Sequence, residues 1–326
     1  MTPTDPFFRP VSGMELPRFA GVATFMRLPH VGPDHPRLPE VEIGIVGLPF
    51  DGAVSNRPGA RHGPRALRDA STMLRAQNGA TGVRPFDAVA CADLGDVGPN
   101  PVDVMDTLGR FEAFYAGLAA RGIRPLTAGG DHLCTLPVLR GLVKGKAPLG
   151  LIHFDSHTDL YPVYFGGKVL THGNPFRVAV EEGLLDPARM IQIGIRGTTY
   201  DNADTDFASA NGIRIVRAEE LFARGIPDVM AEAREIVGAG ETYLSYDIDF
   251  VDPSVAPGTG TPEWGGPIAR EAIEVLRALR GVNIVAADLV EVSPPFDAGG
   301  NTAWLGASLM FELLCLMVEP KAGRTV

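Results

Sequence analysis

Three short polar segments, each directly behind an apolar run, constrain most strongly what this chain can fold into. Gly129-Gly130-Asp131-His132 follows the run Ile123 to Ala128. Asp155-Ser156-His157-Thr158-Asp159 follows Leu149 to Phe154, and Asp247-Ile248-Asp249 follows Tyr243 to Tyr246. The apolar runs read as buried strands and the polar segments as their ends. In an extended chain, side chains two apart point the same way. Asp155, His157 and Asp159 can therefore converge on one side, and so can Asp247 and Asp249. The segments are spread over residues 129 to 249, so they meet only if their strands share one sheet. That argues for a single domain, although 326 residues would permit two.

The rest of the chain follows the same alternation. Val41 to Leu48 is the first strand, followed by a Gly/Pro-rich loop, Pro49 to Pro64, and a helix from about Arg65. Val102 to Arg121, Leu136 to Val143, Phe176 to Glu182, Ala218 to Arg224 and Asp228 to Val237 read as helices. Met190 to Ile195, Ile213 to Val216 and Val282 to Leu289 read as strands, and Leu305 to Val318 as an apolar closing helix. Val/Ile/Leu runs separated by helices predict an α/β fold of three layers, a mostly parallel sheet covered on both faces. Ligands of such sheets bind at the carboxyl ends of the strands, where all three polar segments fall. Residues 1–40, rich in Pro and without a clear period, are expected to form an N-terminal arm before a domain of residues 41–326.

Composition narrows the partners. A net charge of −10 and a pI near 5.2 argue against nucleic acid or an anionic membrane surface. Cys91, Cys134 and Cys315 form no C-x-x-C pair and suit a reducing compartment. The N-terminus has neither the basic nor the apolar region of a signal peptide. No apolar run approaches the roughly 18 residues of a membrane helix. The expectation is a soluble cytoplasmic protein.

Six residues are candidate metal ligands: His132, Asp155, His157, Asp159, Asp247 and Asp249. Each motif alone reads equally well as a turn, a helix cap or a core histidine; their coincidence is what points to metal. Carboxylates with two imidazoles and no thiolate favour Mn²⁺, Ni²⁺, Co²⁺ or Fe²⁺ over structural zinc. Four carboxylates balance two divalent ions, and such a pair about 3.5–4 Å apart can activate water for hydrolysis. His30, His35 and His62 are read as loop residues, His153 as a strand residue and Cys134 as packed in a helix.

Ser245 to Asp249, continuing through Asp252-Pro253 and Ala256 to Pro262 to Gly265-Gly266, closely resembles the long signature of the ureohydrolase (arginase/agmatinase) family. Gly129 to His132 and Asp155 to Asp159 resemble its other two signatures. Asn56 to Pro64 and Glu291 to Pro295 extend the likeness. Arg18 to Gly21 and Thr24 to Pro29 look most like the bacterial guanidinobutyrase, guanidinopropionase and agmatinase branch.

The resemblance implies hydrolysis of a small guanidino compound to urea and an amine at two divalent ions, Mn²⁺ or Ni²⁺. It implies His132, Asp155, Asp159 and Asp249 around one ion and Asp155, His157, Asp247 and Asp249 around the other, with Asp155 and Asp249 bridging. Glu291 would bind the guanidinium nitrogens, Asp159 would pass a proton to the departing amine, and His172 would shuttle protons. A homo-oligomer, trimer or hexamer, is implied, and a second homologous subunit is compatible with the sequence.

The chain departs from the family pattern in places. Ser156 stands where alanine is usual and could add a hydrogen bond. Leu160, Tyr161 and Pro162 follow Asp159 where small or polar residues are common, and Trp264 and Trp304 lie in or beside signature segments. These bulky residues could fill core space or subunit contacts. They could also close the pocket against a substrate carboxylate, which would suit an alkylated or tailless guanidine or a biguanide such as metformin, with nickel. Two readings of other kinds compete. A one-zinc deacetylase-like enzyme is opposed by the second set of ligands, and a non-catalytic partner subunit by the intact six.

Overall fold

A computed structural model describes residues 5–319, so the outermost ends of the expected arm (1–4) and domain (320–326) lie outside the described residues. Eight strands among them form one sheet: Ile43–Gly47 (β1), Cys91–Asp96 (β2), Arg124–Ala128 (β3), Leu149–Phe154 (β4), Leu185–Ile195 (β5), Arg214–Arg217 (β6), Thr242–Asp247 (β7) and Ile284–Val290 (β8). Their order is β2-β1-β3-β8-β7-β4-β5-β6, and every neighbouring pair is parallel. Parallel strands need crossover connections, here mostly helical, which cover both faces. Every residue of β4 and β7 is accordingly buried.

The helices are Gly63–Ser71 (α1), Pro85–Ala88 (α2), Val104–Ala120 (α3), Thr135–Val143 (α4), Pro175–Glu181 (α5), Ala203–Asn211 (α6), Ala218–Arg224 (α7), Ile226–Val237 (α8), Ala269–Arg277 (α9) and Asn301–Val318 (α10). One apolar layer joins the sheet to α3, α4, α5 and α6, and the other joins it to α1, α2, α7, α8, α9 and α10. The three-layer α/β expectation holds. Local signals set the helix ends; Asp103, for instance, accepts the Asp106 amide at 3.0 Å and caps α3.

Four elements were not anticipated, the one-turn α2 among them. The β2 sequence, Cys-Ala-Asp-Leu-Gly-Asp, carries two aspartates in a short run at the sheet edge, where Asp93 and Asp96 pair with Arg68. The α6 segment has little apolar character. In α9 only Ala272, Val275 and Leu276 are buried among charged residues. A further correction concerns α10, which is 18 residues long and apolar enough by length and composition to span a bilayer. It is a core helix: it packs on α1, α9 and β8, and its Glu312 pairs with Arg277 and accepts from Asn78 at 2.9 Å.

Before β1, residues 5–42 run in three single turns. Phe8, Phe25 and Val31 are buried, and the Phe25 amide donates to Asp93 at 2.8 Å. The loops that carry the candidate ligands leave the inner strands β3, β7 and β4 at their carboxyl ends, and Glu291 ends β8 among them.

Candidate metal centre

The approach to His132 depends on two glycines. A Cβ on Gly130 would lie 1.7 Å from the Phe50 carbonyl oxygen, and one on Gly129 would lie 2.6 Å from Val290. The chain therefore passes β8 and the β1 loop at backbone distance before turning into the single turn His132–Cys134. Asp131 holds that turn. Its carboxylate accepts the Leu133 amide at 3.1 Å and the Ala53 amide at 2.9 Å. Burial and the neighbouring Glu291 charge push its pKa up to about 8.

Three strand ends, those of β3, β4 and β7, bring the six predicted ligands together. His132 Nδ1 lies 3.1 Å from Asp155, 3.0 Å from Asp159 and 3.1 Å from Asp247, while His157 Nδ1 lies 3.1 Å from Asp249 and 3.4 Å from Asp155. The expected sharing is corrected in one respect. Asp249 stands with His157 and Asp247 stands with His132, so Asp249 is not placed as a bridge. Asp155 faces both imidazoles, with Oδ2 toward His132 and Oδ1 toward His157.

The physical reason also corrects the extended-chain argument. After Asp247 the backbone enters a tight turn, Ile248–Phe250, which rotates Asp249 away from its predecessor. Beyond Phe154 the chain bends too, and Asp159 takes a left-handed φ of 54°. Turns, not strand alternation, aim these side chains. A left-handed non-glycine residue costs about 1–3 kcal/mol, which a surrounding structure must outweigh.

The donor set fits divalent cations. His132 Nδ1 is fully buried without a hydrogen-bond partner, the state of a ligand atom aimed at an ion. Burial raises Asp247 well above the ordinary carboxylate range, and the charges of Asp249 and Asp155 raise it further; burial and Asp155 also raise Asp159. Burial likewise opposes ionisation of Asp155, but His153, His132 and His157 outweigh it and hold that carboxyl low. Packing this many carboxylates out of water is stable only when cations or protons share them.

Outer contacts fix the ligands, and the sequence reading missed them. His132 Nε2 lies 2.8 Å from Ser245 Oγ, which donates to Asp288 at 2.7 Å. Asp288 also accepts from Thr135 and Tyr243, both at 2.6 Å. Ser245 could have been suspected, since it lies two before Asp247 on the same strand face. The Ser156 hydroxyl donates to Asp249 at 2.7 Å, a bond that alanine could not make, and the Ser156 amide adds another at 3.1 Å. His153, read from sequence as an ordinary strand residue, lies 2.8 Å from Asp155.

Glu291, at the end of β8 with a left-handed φ of 62°, closes one side. Its Oε1 accepts the His132 amide at 3.0 Å and bonds His172 Nδ1 at 2.8 Å, while Oε2 is buried without a partner. His172 Nε2 accepts the Ser55 amide at 3.0 Å, so in this arrangement Nδ1 carries the proton that faces Glu291. Burial opposes its charging, but the Glu291 charge overcomes that and lifts the pKa to about 9. The ring can therefore take a second proton when the Ser55 loop yields.

Above these groups opens a cavity of about 700 Å³, lined among others by Asn56, Arg57, Tyr161, Tyr164, Tyr200 and Glu263. Tyr161 packs edge-on to Tyr164 and Tyr200, with ring centroids 6.3 and 5.5 Å away. The other bulky residues singled out in the sequence do not line it. Leu160 is fully buried in the core, and Trp264 and Trp304 are surface residues, 73% and 54% exposed. Neither tryptophan fills the core.

Comparison with known proteins agrees with this geometry. The model of the arginase family matches residues 41–316. A guanidinopropionase from Pseudomonas aeruginosa is 50% identical over 96% of this chain and 97% of its own length. A guanidinobutyrase from the same organism is 46% identical over 95% and 96%. The structure of proclavaminate amidinohydrolase from Streptomyces clavuligerus superimposes with a TM-score of 0.87 at 39% identity, covering 93% of this chain and 99% of that one.

Proposed function

The chain belongs to the arginase family and is a hydrolase of C–N bonds; on that premise we propose that it cleaves a small guanidino compound to urea and an amine. The observation that carries this reading is the buried, partnerless Glu291 Oε2 beside six converging metal ligands. A planar guanidinium offers N–H donors in a fork that such a carboxylate matches.

Two divalent ions, when bound, supply Lewis acidity and acidify a water for attack on the guanidinium carbon. His132, Asp155, Asp159 and Asp247 would hold one, and His157, Asp155 and Asp249 the other. Glu291 fixes the guanidinium carbon over the centre, so that binding converts into orientation. Asp159 delivers a proton to the departing amine, and His172 exchanges protons with solvent through Ser55. Carboxylates with two imidazoles suit Mn²⁺, and nothing in the donor set calls for Ni²⁺ in particular.

The tail is where substrates differ. A carboxylate tail of the guanidinopropionate or guanidinobutyrate type would meet Arg57. Carbonyl oxygens of Gly260 and Thr259 hold its Nε and Nη2, which leaves the Nη1 edge for an anion. A second reading rests on Tyr161, Tyr164 and Tyr200, whose rings offer apolar and cation-accepting faces to an alkylated or tailless guanidine or a biguanide. Assembly as a trimer or hexamer, alone or with a homologous subunit, is part of the proposal and is read by light scattering.

The deciding experiment is urea release by the Mn²⁺-loaded chain across guanidino acids, agmatine, guanidine and biguanides. Urea from a guanidino acid or agmatine supports the first reading, and urea only from guanidine, alkylguanidines or biguanides supports the second. Two bound ions with no urea from any compound would leave the non-catalytic partner subunit as the better account.

A further inference from the structure

His153 stands two residues before Asp155, so strand alternation puts both side chains on the same face. Its ring is fully buried, with Nε2 2.8 Å from Asp155 Oδ2. On the neighbouring strand β5, in register with it, Gln192 places its side-chain nitrogen 3.0 Å from His153 Nδ1. That same nitrogen lies 2.6 Å from the Thr158 carbonyl oxygen.

A carbonyl oxygen can only accept, so the end of Gln192 that faces it must be the NH₂ group. The contact fixes the orientation of the amide, which is otherwise a matter of assignment. Since the same NH₂ donates to His153 Nδ1, that nitrogen is bare. The proton of the neutral ring sits on Nε2 and is donated to Asp155. The Phe176 ring packs 4.3 Å away and the His132 ring 5.1 Å away, so the imidazole is held against turning.

We propose that His153 is a positioning residue: an Nε2-protonated imidazole that clamps Asp155 in the orientation needed to span both metal positions, and not a metal ligand. His132, His153 and Asp155 lie close enough together to pass for a ligand trio. The hydrogen-bond chain Thr158–Gln192–His153 removes His153 from it, because a protonated Nε2 has no lone pair to give. Asp155 matters most here because it alone faces both imidazole ligands. The inference rests on the metal-centre part of the proposed function and not on the identity of the substrate.

Its test is Mn²⁺ titration calorimetry on the chelator-treated full chain, together with nitrogen NMR of ¹⁵N-histidine-labelled protein. We expect His153→Leu to weaken Mn²⁺ binding about 10- to 100-fold while two ions still bind at saturation. His153→Gln, which can present an N–H near the same point, should restore most of that affinity. Gln192→Met keeps the imidazole but frees its tautomer. It should weaken binding less than His153→Leu, and it tests the same relay if that variant does not fold. The wild-type spectrum should show the Nε2–H tautomer. Unchanged affinity in both His153→Leu and Gln192→Met, saturation of His153→Leu at one ion, or an Nδ1–H spectrum would each overturn the proposal. A wild-type chain that binds two Mn²⁺ but releases no urea would defeat the functional reading and leave this one standing on its isotherms.

Discussion

At the floor of the cavity the candidate ligands His132, Asp155 and Asp249 are each tied at a second point, whereas the tyrosines at the mouth have little to hold them. Ser245 holds His132, His153 meets Asp155, and Ser156 bonds Asp249. At the mouth, Tyr200 is 84% exposed, and the Tyr161 hydroxyl reaches only backbone atoms of Tyr200 and Asp201 at 3.2 and 3.3 Å. Catalytic groups need tight geometry, and residues that sort substrate tails can tolerate less. On the proposed function, that difference would put the chemistry in the floor and the choice of substrate in the mouth.

Asp247→Asn should break the floor most severely. It removes a charge from the cluster at a fully buried position, and we expect urea release to fall at least about 100-fold with loss of bound metal, read by elemental analysis. Glu291→Gln should separate grip from metal. Losing the charged acceptor for the guanidinium should lower kcat/KM about 10- to 100-fold while metal content stays at the wild-type level.

The third prediction concerns pH. Asp247 and Asp159 have folded-state pKa values raised above the ordinary carboxylate value. A raised carboxyl pKa means the folded protein holds protons that the unfolded chain has lost. The metal-free protein therefore loses stability as pH rises from the ordinary carboxylate range through the raised values. Cations relieve that cost, so the gap in Tm between Mn²⁺-loaded and metal-free protein should widen from pH 5 to pH 8. A constant gap would show that the carboxylates are not the metal's partners.

At the mouth the effects should be smaller and of a different kind. Tyr161→Ala should change the ratio of kcat/KM between a carboxylate-tailed and an uncharged guanidine by about tenfold, with little change for guanidine itself. Trp264→Ala and Trp304→Ala should leave both values within about twofold, because surface substitutions away from special features shift little. A large tryptophan effect would extend the functional surface beyond the cavity.

The sequence carried the floor far better than the mouth. The six ligands and Glu291 sit at ends of strong apolar strands, where type and spacing are local information. Their partners were harder to see. Ser245, His153 and Gln192 lie inside strands, where any polar residue could equally be a satisfied core group, and Asp288 acts from β8 on a histidine of β3. Only strand order makes those contacts. The tryptophans misled because their motif position said nothing about which way they face. The grouping of Asp247 with His132 was illegible because it depends on a tight turn in three residues that read equally well as extended chain.

The strand order has one more consequence. The candidate ligands hang from β3, β7 and β4, with Glu291 ending β8 among them, in the interior of an eight-stranded sheet with two strands outside them on either side. Sheets fray from their edges, because an edge strand is paired on one side only and opens at lower free energy than a central one. Unzipping must pass β2 and β1, or β6 and β5, before it reaches a ligand-bearing strand. The catalytic floor is thus insulated from the protein's commonest excursions, and brief openings at either margin can come and go while the six ligands keep their spacing.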